Sequence, residues 1–246
     1  MIDISLCIPT MRRWDFLKIN IPKYLSNSFI SEIVIVDETG EDYALLKEHY
    51  GAEPKIKLFK NESQLGPFLN KLECIKKATF DWVCLIDSDN YADENYFISF
   101  LSFINNKPIT NLIYMPSMAK PRFNFGRFES LIIDRTNTRD FVNKGYHQHT
   151  FVTLLNMGNY ILHKCSSGIL NNIIANEPGV AEFAKSVLVG DVIYMNYLLL
   201  KHDFNLVVVP DMAYEHVCHE NGLCARTQGH FEDKLTKIFN NVLDLS

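Results

Sequence analysis

Short apolar runs alternate along the first third of the chain with stretches whose apolar residues recur every three or four positions, and polar residues close each run. Residues 4–8 read as a strand ending at Pro9-Thr10, after which Trp14, Leu17, Ile21 and Leu25 fall at helical spacing. Residues 33–36 form a β-branched run that stops at Asp37-Glu38-Thr39-Gly40 and gives way to an amphipathic stretch through Leu45 and Leu46. A third run, 56–59, leads into Asn61 and the Gly66-Pro67 break, and Leu69, Leu72, Ile75 and Lys76 then mark a helix. The fourth, 82–86, is apolar throughout and ends abruptly in Asp87-Ser88-Asp89-Asn90. Strands buried on both faces have this look, and their alternation with helices predicts an α/β fold with a mostly parallel central sheet, flanked by helices and joined by right-handed crossovers.

Past this point the rhythm loosens. Residues 111–115 predict a strand, 120–127 a loop mixing Pro, Arg, Phe and Gly, 158–163 a strand, 192–200 an apolar helix, and 206–209 a last strand closed by Pro210. Residues 132–153 and 181–189 carry no decisive period. No linker or internal repeat divides the 246 residues, a length that one domain with a sizeable core accommodates.

Composition narrows the function classes. Hydrophobic residues at 47% and charged ones at 22% are ordinary for a globular chain and argue against disorder. A net charge of −5 offers no general attraction for nucleic acid or anionic lipid, so nucleic-acid partners are not expected. The Lys120 to Arg127 stretch, with Phe123 and Phe125, superficially suggests base stacking, but a sugar- or phosphate-contacting loop and a plain packed Phe pair fit as well. No apolar run approaches the roughly 18 residues that span a bilayer, and no signal-peptide pattern opens the chain, so a soluble cytoplasmic protein without a transmembrane segment is expected. The six cysteines are scattered without a C-x-x-C pair, which removes the strongest sign of a zinc ribbon or redox motif.

In open α/β sheets, ligands bind outside the carboxyl ends of the strands, so the polar residues that follow strands are the ones to inspect. Thr10, Asp37 and the Asp87-x-Asp89 pair all stand at such ends and are expected to converge on one edge. Two carboxylates one residue apart offer hard oxygen ligands to Mg²⁺ or Mn²⁺, leaving further positions for water and phosphate. The same Asp-Ser-Asp-Asn also serves as a polar turn whose side chains cap local backbone groups.

The order of motifs resembles the nucleotide-sugar glycosyltransferases of fold type A (GT-A), and particularly family 2. The opening strand ending in Pro9-Thr10, the second ending in Asp37, Asn61 to Gly66 before a helix with Asn70, and the Asp87-Ser88-Asp89 turn follow that family's sequence of motifs. So do Gly190-Asp191 before a helix, the strand ending in Val209-Pro210, and Tyr214-Glu215-His216 after it. The family's Arg before the Asn is here Leu69.

The resemblance implies a Rossmann-like nucleotide-diphospho-sugar transferase fold as a single domain over 1–246. About 1–115 would form the nucleotide-sugar half and about 116–246 the acceptor-binding and catalytic half. It implies a metal-dependent transfer of sugar from a UDP- or GDP-sugar to a hydroxyl of a saccharide or glycoconjugate. Pro9, Thr10, Asp37, Asn61, Gly66, Asp87, Ser88 and Arg226 would bind the donor, Asp87, Asp89 and His216 the cation, and Asp191 would act as general base of an inverting reaction.

Rival readings remain beside each role. Asp191 is also placed to cap the helix that begins at Val192, Asp37 to close a strand-end turn, and His216 to be an ordinary satisfied histidine. His216, Cys218, His219, Cys224 and His230 are metal-ligand types, although their spacing fits no usual zinc pattern. Gly222 and Gly229 suit a loop that closes over donor phosphates. A retaining transferase of the same fold and a non-catalytic nucleotide- or carbohydrate-binding module are the alternatives in function. A nucleotidyltransferase would need a Gly-rich basic loop that Pro9-Thr10-Met11-Arg12-Arg13 does not supply.

Overall fold

The computed structural model describes residues 2–105, 107–143, 148–188, 190–217 and 231–246, with the backbone alone at 231–234. Its first part follows the alternation of the sequence: β1 (Ile4–Thr10), α1 (Trp14–Ser26), β2 (Glu32–Asp37), α2 (Glu41–Tyr50), β3 (Ile56–Lys60), α3 (Pro67–Lys77) and β4 (Trp82–Leu85). These four strands lie side by side in the order β3-β2-β1-β4, all parallel. Every residue of β2 and β4 is buried, which is why both read as unbroken apolar runs.

The second part is built differently. It contains α4 (Glu94–Ile104), β5 (Leu112–Lys120), β6 (Phe123–Asn124), a 3₁₀ turn at Gly126–Phe128, β7 (Ile132–Ile133), α5 (Thr138–Asn143) and α6 (Gln148–Leu155). After these come β8 (Tyr160–His163), α7 (Cys165–Asn176), α8 (Val180–Ser186), α9 (Asp191–Lys201), β9 (Asn205–Glu215) and α10 (Phe231–Leu243). Among the described residues the nine strands form one sheet in the order β3-β2-β1-β4-β8-β5-β9-β7, with β6 beside β5. Strand β8 is antiparallel to both β4 and β5, whereas β5 and β9 pair in parallel. The sheet is therefore parallel through β4 and mixed beyond it. Because β8 runs against β4, with Tyr160 opposite Leu85, it begins where β4 ends. That reversal carries Asn159 to the polar edge of the sheet.

Pro210 does not close the last strand. The ladder continues past it through a shift of register between Pro116 and Met118, and Asp211 adopts φ 59° at the irregularity. The continuation takes β9 out to Glu215. In the stretch without a decisive period, Phe141 and Phe151 pack with Phe128, and Phe151 also meets Phe239 of α10. Helix α4 packs on β9 and buries Tyr96, Phe97 and Phe100, with Phe100 meeting Tyr114 edge-on and Trp82 at a tilt. Losing such a ring to alanine costs about 3–5 kcal/mol in a well-packed core.

Candidate active site

Three strand ends meet where the sequence placed them. At the end of β2, Asp37 is fully buried; one carboxylate oxygen accepts the Thr39 amide at 3.1 Å and the other the Tyr43 amide at 2.8 Å. These are the bonds of a strand-end turn. Thr10, closing β1, donates its hydroxyl to Asp42 at 2.6 Å. Asp42 in turn accepts the amides of Arg13 and Trp14, satisfying donors that the start of α1 leaves open. Pro9 precedes Thr10 in β1, paired with Val36.

Asn61 and Gly66 flank the loop before α3. The Asn61 side chain donates to Asn70 at 3.0 Å and lies 3.4 Å from Glu38, whose carboxylate also accepts the Leu65 amide at 2.8 Å. Burial pushes the carboxyls of Asp42 and Glu38 above their ordinary range. Gly66 has φ 88° and ψ 161°, a region essentially closed to other residues. A Cβ there would stand 3.1 Å from the Lys185 carbonyl oxygen, so the loop needs glycine on both counts. Pro67 then opens α3, where its missing N–H is not needed.

The Asp-x-Asp turn follows β4. The Asp87 amide donates to the Asn159 side chain at 2.7 Å, and Ser88 beside it is buried. Asn90 accepts the Val217 amide at 3.0 Å, and Tyr91 exchanges two backbone hydrogen bonds with Glu215. The turn is thus stitched to the end of β9, one residue before His216. Asp87 Oδ1 lies 3.1 Å from Lys71 Nζ, and Asp191 Oδ2 lies 2.8 Å from the same nitrogen. Burial alone would lower the Lys71 pKa, but Asp191 and Asp87 outweigh it and hold the ammonium above its ordinary value.

Asp191 is the first residue of α9, and the N-cap is Gly190, left-handed at φ 82°, with no side-chain cap bond. Its carboxylate turns to Lys71 instead. Lys71, two residues beyond the Leu69 that stands for the family's Arg, is the cation the sequence reading missed. The i+2 step moves it to the face of α3 that looks at the strand ends.

Asp89 lies 3.6 Å from Arg13 Nε. The His216 ring packs edge-on against Phe123 and Tyr214, and its Nδ1 is buried with no hydrogen-bond partner. Burial pushes its pKa down, Asp87 and Asp89 pull it partly back, and Arg122 adds to the lowering. The imidazole thus favours its neutral, ligating form. No three His, Cys, Asp or Glu side chains converge as a finished metal cage among the described residues. The two carboxylates are the oxygen donors that suit Mn²⁺ or Mg²⁺, and the orphaned imidazole nitrogen within their electrostatic reach is a nitrogen donor that Mn²⁺ accepts more readily than Mg²⁺. Arg226, Cys218, His219, Gly222, Cys224, Gly229 and His230 lie outside the described residues.

A central sheet whose parallel half is wound with helices and whose strand ends form one polar edge has the architecture of the GT-A glycosyltransferase class. The model of the family described as Glycosyl transferase family 2 matches residues 5–161, more than half of the chain, and the chain belongs to that family.

Among solved structures, Staphylococcus aureus TarS 1–349 in complex with UDP-GlcNAc superposes with a TM-score of 0.68 at 15% identity, covering 100% of this chain and 66% of that one. The longer S. aureus TarS structure gives 0.62 at 15%, covering 100% and 43%. GalNAc-T7 with UDP, GalNAc and Mn²⁺ gives 0.62 at 14%, covering 90% and 44%. At such identities the likeness is one of fold, and the chain spans less than two thirds of each of these three. A comparison with curated proteins finds no match. No helix among the described residues is long and apolar enough to cross a membrane.

Proposed function

We propose that the chain transfers a sugar from a UDP- or GDP-sugar to a hydroxyl of a saccharide or glycoconjugate, with inversion at the anomeric carbon. One observation carries the reading: Asp87, on the turn after β4, and Asp191, at the start of α9, flank a single buried ammonium at 3.1 and 2.8 Å. A donor-side and an acceptor-side carboxylate therefore share one cleft. Residues from about 1–115 would hold the nucleotide sugar and those from about 116–246 the acceptor.

In this reaction an acceptor hydroxyl oxygen bonds to the anomeric carbon while its proton passes to an Asp191 oxygen, a task typically worth ~10²–10⁴ in rate. The bond from the anomeric carbon to the diphosphate oxygen breaks, and its electron pair leaves with the nucleoside diphosphate. Asp87, Asp89 and His216 would hold Mn²⁺ or Mg²⁺. Such a cation, when bound, neutralises the charge that builds on the leaving diphosphate. The structure with Mn²⁺ and UDP of GalNAc-T7 supports that expectation at the level of the fold.

The test is turnover of a panel of UDP- and GDP-sugars with Mn²⁺, in the parent and in Asp191→Asn. Asn keeps the size and can still accept from Lys71. The variant is expected to lose ~10²-fold or more in kcat while donor affinity changes little. An Asp191→Asn protein as active as its parent removes Asp191 from the chemistry.

A further inference from the structure

We infer that Lys71 is a positioning residue for the transfer reaction, fixing the Asp191 carboxylate at a set distance from the donor turn. The inference rests on the reading of Asp191 as the base. Lys71 stands in the second turn of α3 with 7% of its surface exposed, and its ammonium meets Asp191 Oδ2 at 2.8 Å and Asp87 Oδ1 at 3.1 Å. The two acids belong to different parts of the fold. Asp87 hangs from β4 and is held by Asn159, just before the antiparallel strand β8, whereas Asp191 rides on α9.

Three features make Lys71 more than a structural ion pair. First, Gly190 supplies the N-cap of α9 without a side-chain bond, and the hydrogen bond found for the Asp191 side chain among the described residues comes from Lys71. An aspartate at a helix start with no other anchor keeps its rotamer freedom, and a base that must meet an acceptor proton cannot. Second, Lys71 stands between the Asp87 and Asp191 carboxylates, and without its ammonium two like charges would be left as neighbours at a partly buried edge, where they repel. Third, a Cβ on Gly158 would stand 3.6 Å from the Lys71 Cε and 2.7 Å from the Val192 side chain. The backbone between α6 and β8 thus leaves room for the lysine stem beside the start of α9. Lys71 consequently spaces the donor turn and the base from one point.

The experiment is a kinetic double-mutant cycle on the full chain with Lys71→Met, Asp191→Asn and the pair. Met keeps the stem without the charge. Lys71→Met is expected to lower kcat by about tenfold or more with the donor KM within about threefold, and to add little in the Asp191→Asn background, because contacting residues that act as one unit are not additive. Should Lys71→Met fail to fold, Lys71→Leu takes its place with the same expectations, as it also removes the donor and keeps an apolar stem.

A parental kcat in either Lys71 variant, with Asp191→Asn impaired, overturns the inference alone. A donor KM that rises as much as kcat falls also overturns it, since Lys71 would then bind the donor directly. Full activity of Asp191→Asn marks instead the failure of the base assignment, whatever Lys71 does, and the inference falls with it.

Discussion

Asn159 grips Asp87 at two points: its side-chain oxygen accepts the Asp87 amide at 2.7 Å, and its nitrogen lies 3.5 Å from an Asp87 carboxylate oxygen. The residue is 1% exposed, and its own carbonyl accepts the Tyr96 hydroxyl at 2.9 Å, so it is anchored to α4 behind the turn. The direction in which Asp87 points is therefore set from the neighbouring antiparallel strand as well as from the turn itself.

Asn159→Ala strands the Asp87 amide without its acceptor and removes one neighbour of the carboxylate, which keeps Lys71. A buried donor left unpaired costs ~1–3 kcal/mol. A lower denaturant midpoint together with a donor KM raised several-fold is expected. Unchanged donor KM would mean the turn holds its own geometry.

For the cation, Asp89→Ala is expected to abolish Mn²⁺-dependent binding of a nucleoside diphosphate, measured by calorimetry, with the fold intact because the side chain belongs to the turn after β4 and not to the hydrophobic core. His216→Ala is expected to weaken that binding without abolishing it, since the carboxylates and diphosphate remain. Equal affinity in parent and Asp89→Ala, with or without EDTA, would exclude the metal role of this turn.

Gly66→Ala tests the loop before α3. The alanine must adopt φ 88° and ψ 161° and bring its Cβ to 3.1 Å from the Lys185 carbonyl oxygen. Strain of this kind costs about 1–3 kcal/mol. Thermal melting should fall accordingly, and donor binding should weaken because Leu65 and Asn61 are held through Glu38 on the same loop. Parental stability would show that the loop relaxes freely.

A pH dependence follows from Glu32 at the start of β2. It accepts the Ser5 hydroxyl at 2.6 Å and pairs with Lys57 at 2.6 Å. Burial would raise its pKa, yet the Lys57 and Ser5 hydrogen bonds outweigh burial and hold it below the ordinary value of 4.5. A depressed carboxyl stabilises the fold above the unfolded value and ceases to do so as pH falls through the folded one. Glu32→Gln should therefore melt lower than the parent at pH 7, by an amount on the order of 1–3 kcal/mol for a charge-assisted bond, and the gap should close below pH 4.5. A gap that stays constant down to pH 3 would assign the loss to packing.

Much of the site's inventory was written in local pattern. Short apolar runs marked β1, β2 and β4, and the polar residues that follow them stand at one edge because parallel strands all end on the same side. Asp87 and Asp89 were readable as candidates for that reason, Asp191 through the Gly-Asp step before a helix in the resembled order of motifs, and His216 through its place after the last strand. Pro210 misled because proline ends a strand in isolation, whereas here a bulge absorbs it and pairing with β5 continues.

What the local pattern did not hold is the set of contacts that aims these groups. Asn159 reaches Asp87 across 72 residues and Lys71 reaches Asp191 across 120. The first depends on β8 entering the sheet antiparallel, and the second on α9 packing beside α3. Hydrophobic periodicity reports which face of an element is buried, not which other element buries it. Which acids end the strands was determined by the sequence read locally; which cation and which amide hold them was decided by the tertiary structure, because only strand order and helix packing bring such distant residues within hydrogen-bonding reach.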